Sequence, residues 1–212
     1  ATAHFGLGFC KNGYYQFKRP DGKLAYADFS MRVIIPIKDI EGKVVSFQGR
    51  DVTGTAEKKY LFPAGVRSTG SLFYNGHTAV GASSIVINEG VFDTIAAWQA
   101  FQEEAATRDL IPVASFGKHI SGGDADSQVA YLLRLQDHGL KNITFMWDGE
   151  AQAIKDAIHA GQMLQKYGFN IRIAILPGKD PNELPPVIVR QAYFNAEALT
   201  PAFATKTLLK LK

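Results

Sequence analysis

Carboxylates recur in this chain at the places where apolar runs stop. Ile85-Val86-Ile87 leads into Asn88-Glu89-Gly90, with Asp93 four residues past Glu89. Ile143-Thr144-Phe145-Met146-Trp147 leads into Asp148-Gly149-Glu150, and Ile171-Arg172-Ile173-Ala174-Ile175-Leu176 leads into Pro177-Gly178-Lys179-Asp180. Brought together, Glu89, Asp93, Asp148, Glu150 and Asp180 repel one another, and a divalent cation offsets that cost. Oxygen ligands without His or Cys suit Mg²⁺, Mn²⁺ or Ca²⁺ rather than zinc. Gly149 allows a turn tight enough for Asp148 and Glu150 to face one ion. Glu89 and Asp93, at i and i+4 on a helix start, repel each other mildly but gain from the helix dipole. Singly, each acid is an ordinary loop or helix-start residue; their repetition at strand ends is what points to chemistry.

The elements that must position these acids follow from periodicity. Val91 to Ala106 carries Phe92, Ile95, Ala96 and Phe101 on a helical stripe, and Ile111-Pro112-Val113-Ala114-Ser115-Phe116 has the length of a strand. A helix running to His138 turns Val129, Leu132, Leu133 and Leu135 inward and stops at Gly139. Ala151 to Tyr167 repeats that plan with Ile154, Ile158, Gly161 and Leu164, and Gly168 ends it. Strands alternating with helices imply a parallel α/β sheet, and ligands of such sheets collect beyond the carboxyl ends of the strands. Lys118 and His119 follow the Ile111–Phe116 strand and reach the same edge, as phosphate contacts or as an acid for a leaving group.

Upstream the chain is β-rich. Tyr14–Phe17 and Leu24–Phe29 flank Pro20-Asp21-Gly22 as a hairpin, and Arg32–Ile37 and Lys43–Phe47 form a second around Ile40-Glu41-Gly42. Pro36 inside the second hairpin favours an edge position or a bulge. The Gly- and Thr-containing stretch that follows holds Arg50, Lys58 and Lys59, and with Arg32 and Arg67 these cations lie where they can reach a phosphate backbone. Leu184 to Lys212 has apolar residues at helical spacing interrupted by Pro185-Pro186 and Pro201, so one or two short helices are expected there, with Lys206, Lys210 and Lys212 exposed.

The net charge of +3 conceals a division. Residues 1–80 hold 11 Lys and Arg against 6 Asp and Glu, whereas residues 81–200 hold 9 against 14. A basic part beside an acidic α/β part suits a protein that holds a polyanion on one surface and metal on another. The lone Cys10 excludes an internal disulfide and a cysteine-based zinc site and suits a reducing cytoplasm. No run approaches the roughly 18 to 20 apolar residues of a membrane span, so no membrane partner is expected. The start lacks the plan of a secretory signal, and an opening without Met suggests a piece of a longer chain. No Walker-type phosphate loop, H-E-x-x-H helix or G-x-S-x-G elbow is present.

Glu89-Gly90-Val91-Phe92-Asp93 resembles the first acidic motif of the TOPRIM domain, and Asp148-Gly149-Glu150-Ala151 resembles the second. Asp180-Pro181-Asn182-Glu183-Leu184 looks like the third as DnaG-type primases, bacterial or phage, carry it. Arg32-Val33-Ile34-Ile35-Pro36-Ile37-Lys38-Asp39, Val44-Val45-Ser46-Phe47-Gln48-Gly49-Arg50 and Lys59-Tyr60 resemble the N-terminal part of the same RNA polymerase core. The resemblance covers most of residues 5–184. It departs at Thr69, where the family usually has Lys, at Glu150, where it has Asp, at Gln152, and at Asn182, which replaces a common acid.

What the resemblance implies is a TOPRIM-type parallel sheet flanked by helices over residues 81–182, preceded by a basic, β-rich mixed subdomain over 1–80 and followed by a short helical tail over 183–212. It implies a primase core that joins NTPs into RNA primers on single-stranded DNA, using Mg or Mn, two ions, and no zinc within this chain. Glu89, Asp148 and Glu150 would be catalytic; these three with Asp93 and Asp180 would hold metal. Arg32, Arg50, Lys59, Arg67 and Lys118 would bind template or triphosphate. A replicative helicase, fused or separate, would be a partner in the cytoplasm. The family's zinc-binding template reader lies upstream, and one Cys cannot build it. A TOPRIM nuclease and a non-catalytic nucleic-acid scaffold remain as rival readings of the same acids.

Overall fold

The computed structural model describes residues 1–66 and 69–211. Arg67 and Lys212, named above for their charge, lie outside the described residues. Contacts along the chain divide it into two units, Ala1–Ser68 and Thr69–Lys212.

In the first unit a short helix α1 (Thr2–Phe5) leads to β1 (Gly8–Cys10), then β2 (Tyr14–Lys18), β3 (Leu24–Asp28), β4 (Arg32–Lys38), β5 (Val44–Asp51) and β6 (Tyr60–Leu61). Both expected hairpins form: β2 pairs antiparallel with β3, and β4 with β5. A sheet of order β1-β4-β5-β6 results, beside the β2-β3 ribbon. β1 pairs β4 only over Arg32–Ile34, so Pro36 and its missing N–H fall where that flank of β4 has no partner. The register then shifts between Ile37 and Lys38. Tyr15, Phe29 and Phe47 close the unit's interior, with ring centroids 4.9 to 6.3 Å apart. Gly49 is required there, because a Cβ would stand 2.6 Å from the Phe29 ring and 2.9 Å from Cδ of Arg32.

The second unit carries β7 (Ser84–Asn88), α2 (Val91–Gln102), β8 (Ile111–Ala114), α3 (Gln128–Asp137), β9 (Asn142–Phe145), α4 (Ala151–Gln165), β10 (Asn170–Ile173), α5 (Pro186–Phe194), β11 (Glu197–Ala198) and α6 (Pro201–Lys210). Its sheet runs β11-β10-β9-β7-β8, parallel except for β11. Val86, Met146 and Ala174 pack with Ala97, Ala100 and Phe101 of α2 and Val189 and Ala192 of α5. Gly161 brings α4 against Ile171 and Leu199, where a Cβ would meet both side chains at 2.6 to 2.9 Å. With helices covering the sheet, the parallel strands read as nearly unbroken apolar runs.

Several boundaries differ from the sequence reading. Residues 69–80, grouped above with the N-terminal part, belong to the second unit: Tyr74 and Ala114 exchange backbone hydrogen bonds along the outer edge of β8, and Asn75 donates to the Pro112 carbonyl. α2 stops at Gln102 rather than Ala106, because the buried Thr107 hydroxyl donates to the Phe101 carbonyl and turns the chain. β10 stops at Ile173, short of Leu176. Pro185-Pro186 and Pro201 do not interrupt the tail helices but begin them, since a proline in the first turn removes only an N–H that would lack a partner anyway. The antiparallel β11 between them has no sequence signal, being two residues long.

Gly49→Ala is expected to destabilise the first unit by about 1 to 3 kcal/mol, measured as a lower urea midpoint for loss of its structure.

Candidate functional site

The three strand ends meet. β7 delivers Glu89, β9 delivers Asp148 and, one glycine on, Glu150, and the loop after β10 delivers Asp180. Lys118 stands among the first three. Its Nζ lies 3.2 Å from Glu150 Oε2 and 3.6 Å from both Glu89 Oε2 and Asp148 Oδ2. The remaining two acids share a different nitrogen: Nδ2 of Asn182 donates to Asp93 Oδ1 at 3.0 Å and to Asp180 Oδ1 at 2.7 Å. The five acids are therefore gathered at the carboxyl edge of the sheet, in two groups.

Backbone geometry explains how residues so distant in sequence converge. Gly149 donates its N–H to the Lys179 carbonyl, and a Cβ there would collide with the carbonyl of Leu176 and the nitrogen of Gly178. Glycine thus allows the second acidic segment to lie directly against the third. Asp93 sits in the first turn of α2, where its Oδ2 accepts from the Gly90 N–H at 2.9 Å. Asp180 caps the 3₁₀ turn Pro181–Glu183 by accepting from Glu183 N–H.

The loop that carries Lys118 is fixed to the first acidic segment. The Gly117 N–H donates to the Glu89 carbonyl at 3.0 Å, and the Ser115 N–H and hydroxyl both reach the Asn88 carbonyl. Nε2 of Gln128 donates to the carbonyls of Ser115 and Leu72. Phe116 is held at φ 60°, a left-handed conformation that costs a non-glycine residue on the order of 1 kcal/mol. These contacts set Lys118 over the acids.

The electrostatics are those of a crowded anionic site. Burial, then the neighbouring Asp148 carboxylate, pushes Glu89 up to about 7, against the opposing pull of Lys118. Burial raises Asp93 to about 6, aided by Asp180 and Asp148 and opposed by the Asn182 hydrogen bond. Asp180 is also raised, by burial and then by Asp148. Burial lowers the Lys118 ammonium, but Glu89, Glu150 and Asp148 outweigh it and leave the group above the ordinary lysine range.

The donor set, carboxylate oxygens alone, is of the class that hard divalent cations take. Asp148 Oδ1 is a buried oxygen with no hydrogen-bond partner, and Glu89 Oε2 accepts no hydrogen bond and faces the Lys118 ammonium at 3.6 Å. Among the described residues no group of three or more His, Cys, Asp or Glu side chains is arranged to hold a metal ion; the carboxylates of Glu89, Asp148 and Glu150 stand around Lys118 instead.

The basic residues of the first unit divide by environment. Arg32 is only 6% exposed, and its Nη1 faces the carbonyls of Gly49, Lys58 and Lys59 at 3.0 to 3.4 Å. Expected to reach phosphate, it braces the basic segment instead. Arg50 stacks on Tyr60, its guanidinium carbon 4.7 Å from the ring centroid, and Lys59 is exposed. His119 is exposed next to Lys118. Asn182, Ser115 and Gln128 were not singled out as organisers of the site from sequence. Asn182 could have been suspected from its place two residues after Asp180, but its bond to Asp93 spans 89 residues and leaves no local trace.

Two family models match. Residues 8–66 match the DNA primase catalytic core, N-terminal domain, and residues 86–185 match the Toprim-like family. The chain is a member of the DnaG-type primase family, TOPRIM domain included. It is 30% identical over 199 residues to a DNA primase of Staphylococcus aureus, covering 86% of this chain and 31% of that one. A DNA primase of Halalkalibacterium halodurans is 28% identical over 180 residues, covering 82% and 27%. The chain thus spans about a third of the length of these curated relatives. A DNA primase domain from Pseudomonas aeruginosa superposes with a TM-score of 0.73 at 24% identity, over 99% of this chain and 71% of that one. A DnaG primase catalytic domain bound to single-stranded DNA superposes with a TM-score of 0.72 at 21% identity, again over 99% and 71%. The expected fold, a TOPRIM-type sheet with flanking helices, a mixed N-terminal part and a helical tail, is the fold observed. No helix among the described residues is long and apolar enough to cross a membrane.

The raised Glu89 carboxyl has a sign that can be measured. Between 4.5 and about 7 the folded chain keeps a proton that the unfolded chain has lost, so stability falls as pH rises through that window. With divalent metal chelated, Glu89→Gln should stabilise the chain above pH 7 by on the order of 2 kcal/mol, an advantage that shrinks towards nothing below pH 4.5, as read by urea unfolding across that range.

Proposed function

We propose that this chain is the catalytic core of a primase: it joins nucleoside triphosphates into an RNA primer on a single-stranded DNA template. The observation that carries this reading is the convergence of Glu89, Asp148 and Glu150 within 3.6 Å of one point, the Lys118 ammonium, at the carboxyl edge of the sheet, in a chain whose first unit matches the DNA primase catalytic core, N-terminal domain, and whose second matches the Toprim-like family. The relative bound to single-stranded DNA supports that template class.

In each cycle the primer 3′ oxygen bonds to the α-phosphorus of the incoming triphosphate, and the bond from that phosphorus to pyrophosphate breaks. Glu89, Asp148, Glu150 and Asp180, with Asp93 as a further ligand or in support, would hold the divalent ions, Mg or Mn. Such ions, when bound, lower the pKa of the attacking hydroxyl and neutralise the leaving pyrophosphate. As an alternative to holding metal, Glu89 would serve instead as the acceptor of the hydroxyl proton. The extra methylene of Glu150 is tolerated because its side chain is 65% exposed and free to adjust its reach. Arg50, Lys59, Arg67 and Lys118 bind template or triphosphate through their charge, and Arg32 holds the Lys58-Lys59 segment in place. A replicative helicase, fused or separate, delivers single-stranded template in the cytoplasm.

The test supplies labelled ribonucleotides, Mg²⁺ or Mn²⁺, and single-stranded DNA with and without an annealed RNA primer. The wild-type chain is expected to extend the primer, and Asp148→Asn to reduce extension by at least about a hundredfold. Undiminished product with Asp148→Asn removes the site assignment. Metal-dependent shortening of the DNA without nucleotide incorporation replaces the proposal with a nuclease.

A further inference from the structure

Resting on the reading that the acids take divalent metal, we infer that Lys118 is a tethered counter-charge: its ammonium occupies the meeting point of Glu89, Asp148 and Glu150, and a divalent cation must displace it to enter. An ammonium reaching three carboxylates at 3.2 to 3.6 Å stands where an ion shared by those carboxylates would have to stand. Both cannot remain, since a divalent ion needs the oxygens at about 2.0 to 2.6 Å and repels a positive charge beside it.

The lysine's position is built rather than incidental. Its loop is tied to the backbone of Asn88 and Glu89 through Ser115 and Gly117, braced by Gln128, and passes through a left-handed Phe116. A flexible surface lysine would not need that support. The side chain itself has rotamers to leave by, being about a quarter exposed. Lys118 therefore lowers the repulsion among the acids before metal arrives, at the cost of weaker metal binding. Once displaced, its charge becomes available to a phosphate held by the same ion.

Manganese binding measured by titration calorimetry and by the loss of the free Mn²⁺ resonance tests this directly, without nucleotide or template. Lys118→Met is expected to bind Mn²⁺ about tenfold tighter than wild type or more, and adding Asp148→Asn should abolish the gain. Lys166→Met controls for net charge; Lys166 is an exposed residue at the far end of α4 from Glu150 and should change affinity less than twofold. In chelator, Lys118→Met should melt lower than wild type, and saturating Mn²⁺ should raise its melting temperature more than it raises that of wild type. Lys118→Gln, which keeps amide donors but not the charge, should show the same tightening if Lys118→Met does not fold. Unchanged or weaker Mn²⁺ binding in the Lys118 variants, with Asp148→Asn still weakening it, overturns the inference and leaves the metal site standing. Mn²⁺ binding that ignores Asp148→Asn overturns both.

Discussion

Mutual repulsion among carboxylates is the constraint on which the second unit turns. Five acids drawn from three strand ends and one helix start are brought to a partly buried sheet edge, where water screens them poorly. Nothing in the packing of the sheet relieves that; the core beneath it is apolar, from Val86 and Met146 through Phe101 to Val189. Beyond the backbone N–H groups of Gly90 and Glu183, relief comes from two side-chain nitrogens. The Lys118 ammonium reaches Glu89, Asp148 and Glu150, and the Asn182 amide joins Asp93 to Asp180.

The fold provides the force that holds the acids against one another. Parallel pairing of β7 with β8 and β9, and of β9 with β10, aligns the strand ends. Gly149 then removes the one Cβ that would hold the second and third acidic segments apart. Tyr74 and Asn75 secure the outer edge of β8, and through it the loop that places Lys118. Stability is invested in the sheet and its helices so that an electrostatically unfavourable edge can persist.

Much of this was legible in the sequence because it rests on local signals. Apolar runs ending in acids, helical stripes ending in glycine, and Pro-Asp-Gly between alternating residues each report an element within a few positions, and both hairpins and the α/β alternation followed from them. The candidate acids were legible for the same reason. What was not legible depends on long-range geometry. Arg32 looked like a phosphate ligand because charge in a basic stretch is usually solvated, but a buried guanidinium facing three carbonyls is decided by how β5 and the Lys58-Lys59 segment pass it. Asn182 looked like a lost charge because its partner lies 89 residues away. The prolines of the tail looked like interruptions because a helix start and a helix break share the same residue, and only the cap at Thr200 distinguishes them at Pro201.

The two nitrogens are not equivalent, and the difference bears on how the edge works. An ammonium carries charge and can leave; an amide is neutral and, wedged between Asp93 and Asp180, is fixed by both. Neither discharges its group. Glu89 remains near 7 despite the lysine, because burial and Asp148 outweigh one cation, and Asp93 remains near 6 despite the hydrogen bond from Asn182. Acids held above their ordinary values are acids whose ionised form is still short of positive partners. That shortfall is what an incoming cation would relieve: a divalent ion taking the Lys118-facing oxygen of Glu89 and the unpartnered oxygen of Asp148 would gain both its own coordination and the relief of repulsion already built into the fold. The same arithmetic explains why a lysine there is tolerable. It lessens the unfavourable term enough for the chain to fold, yet leaves enough of it to favour a stronger cation.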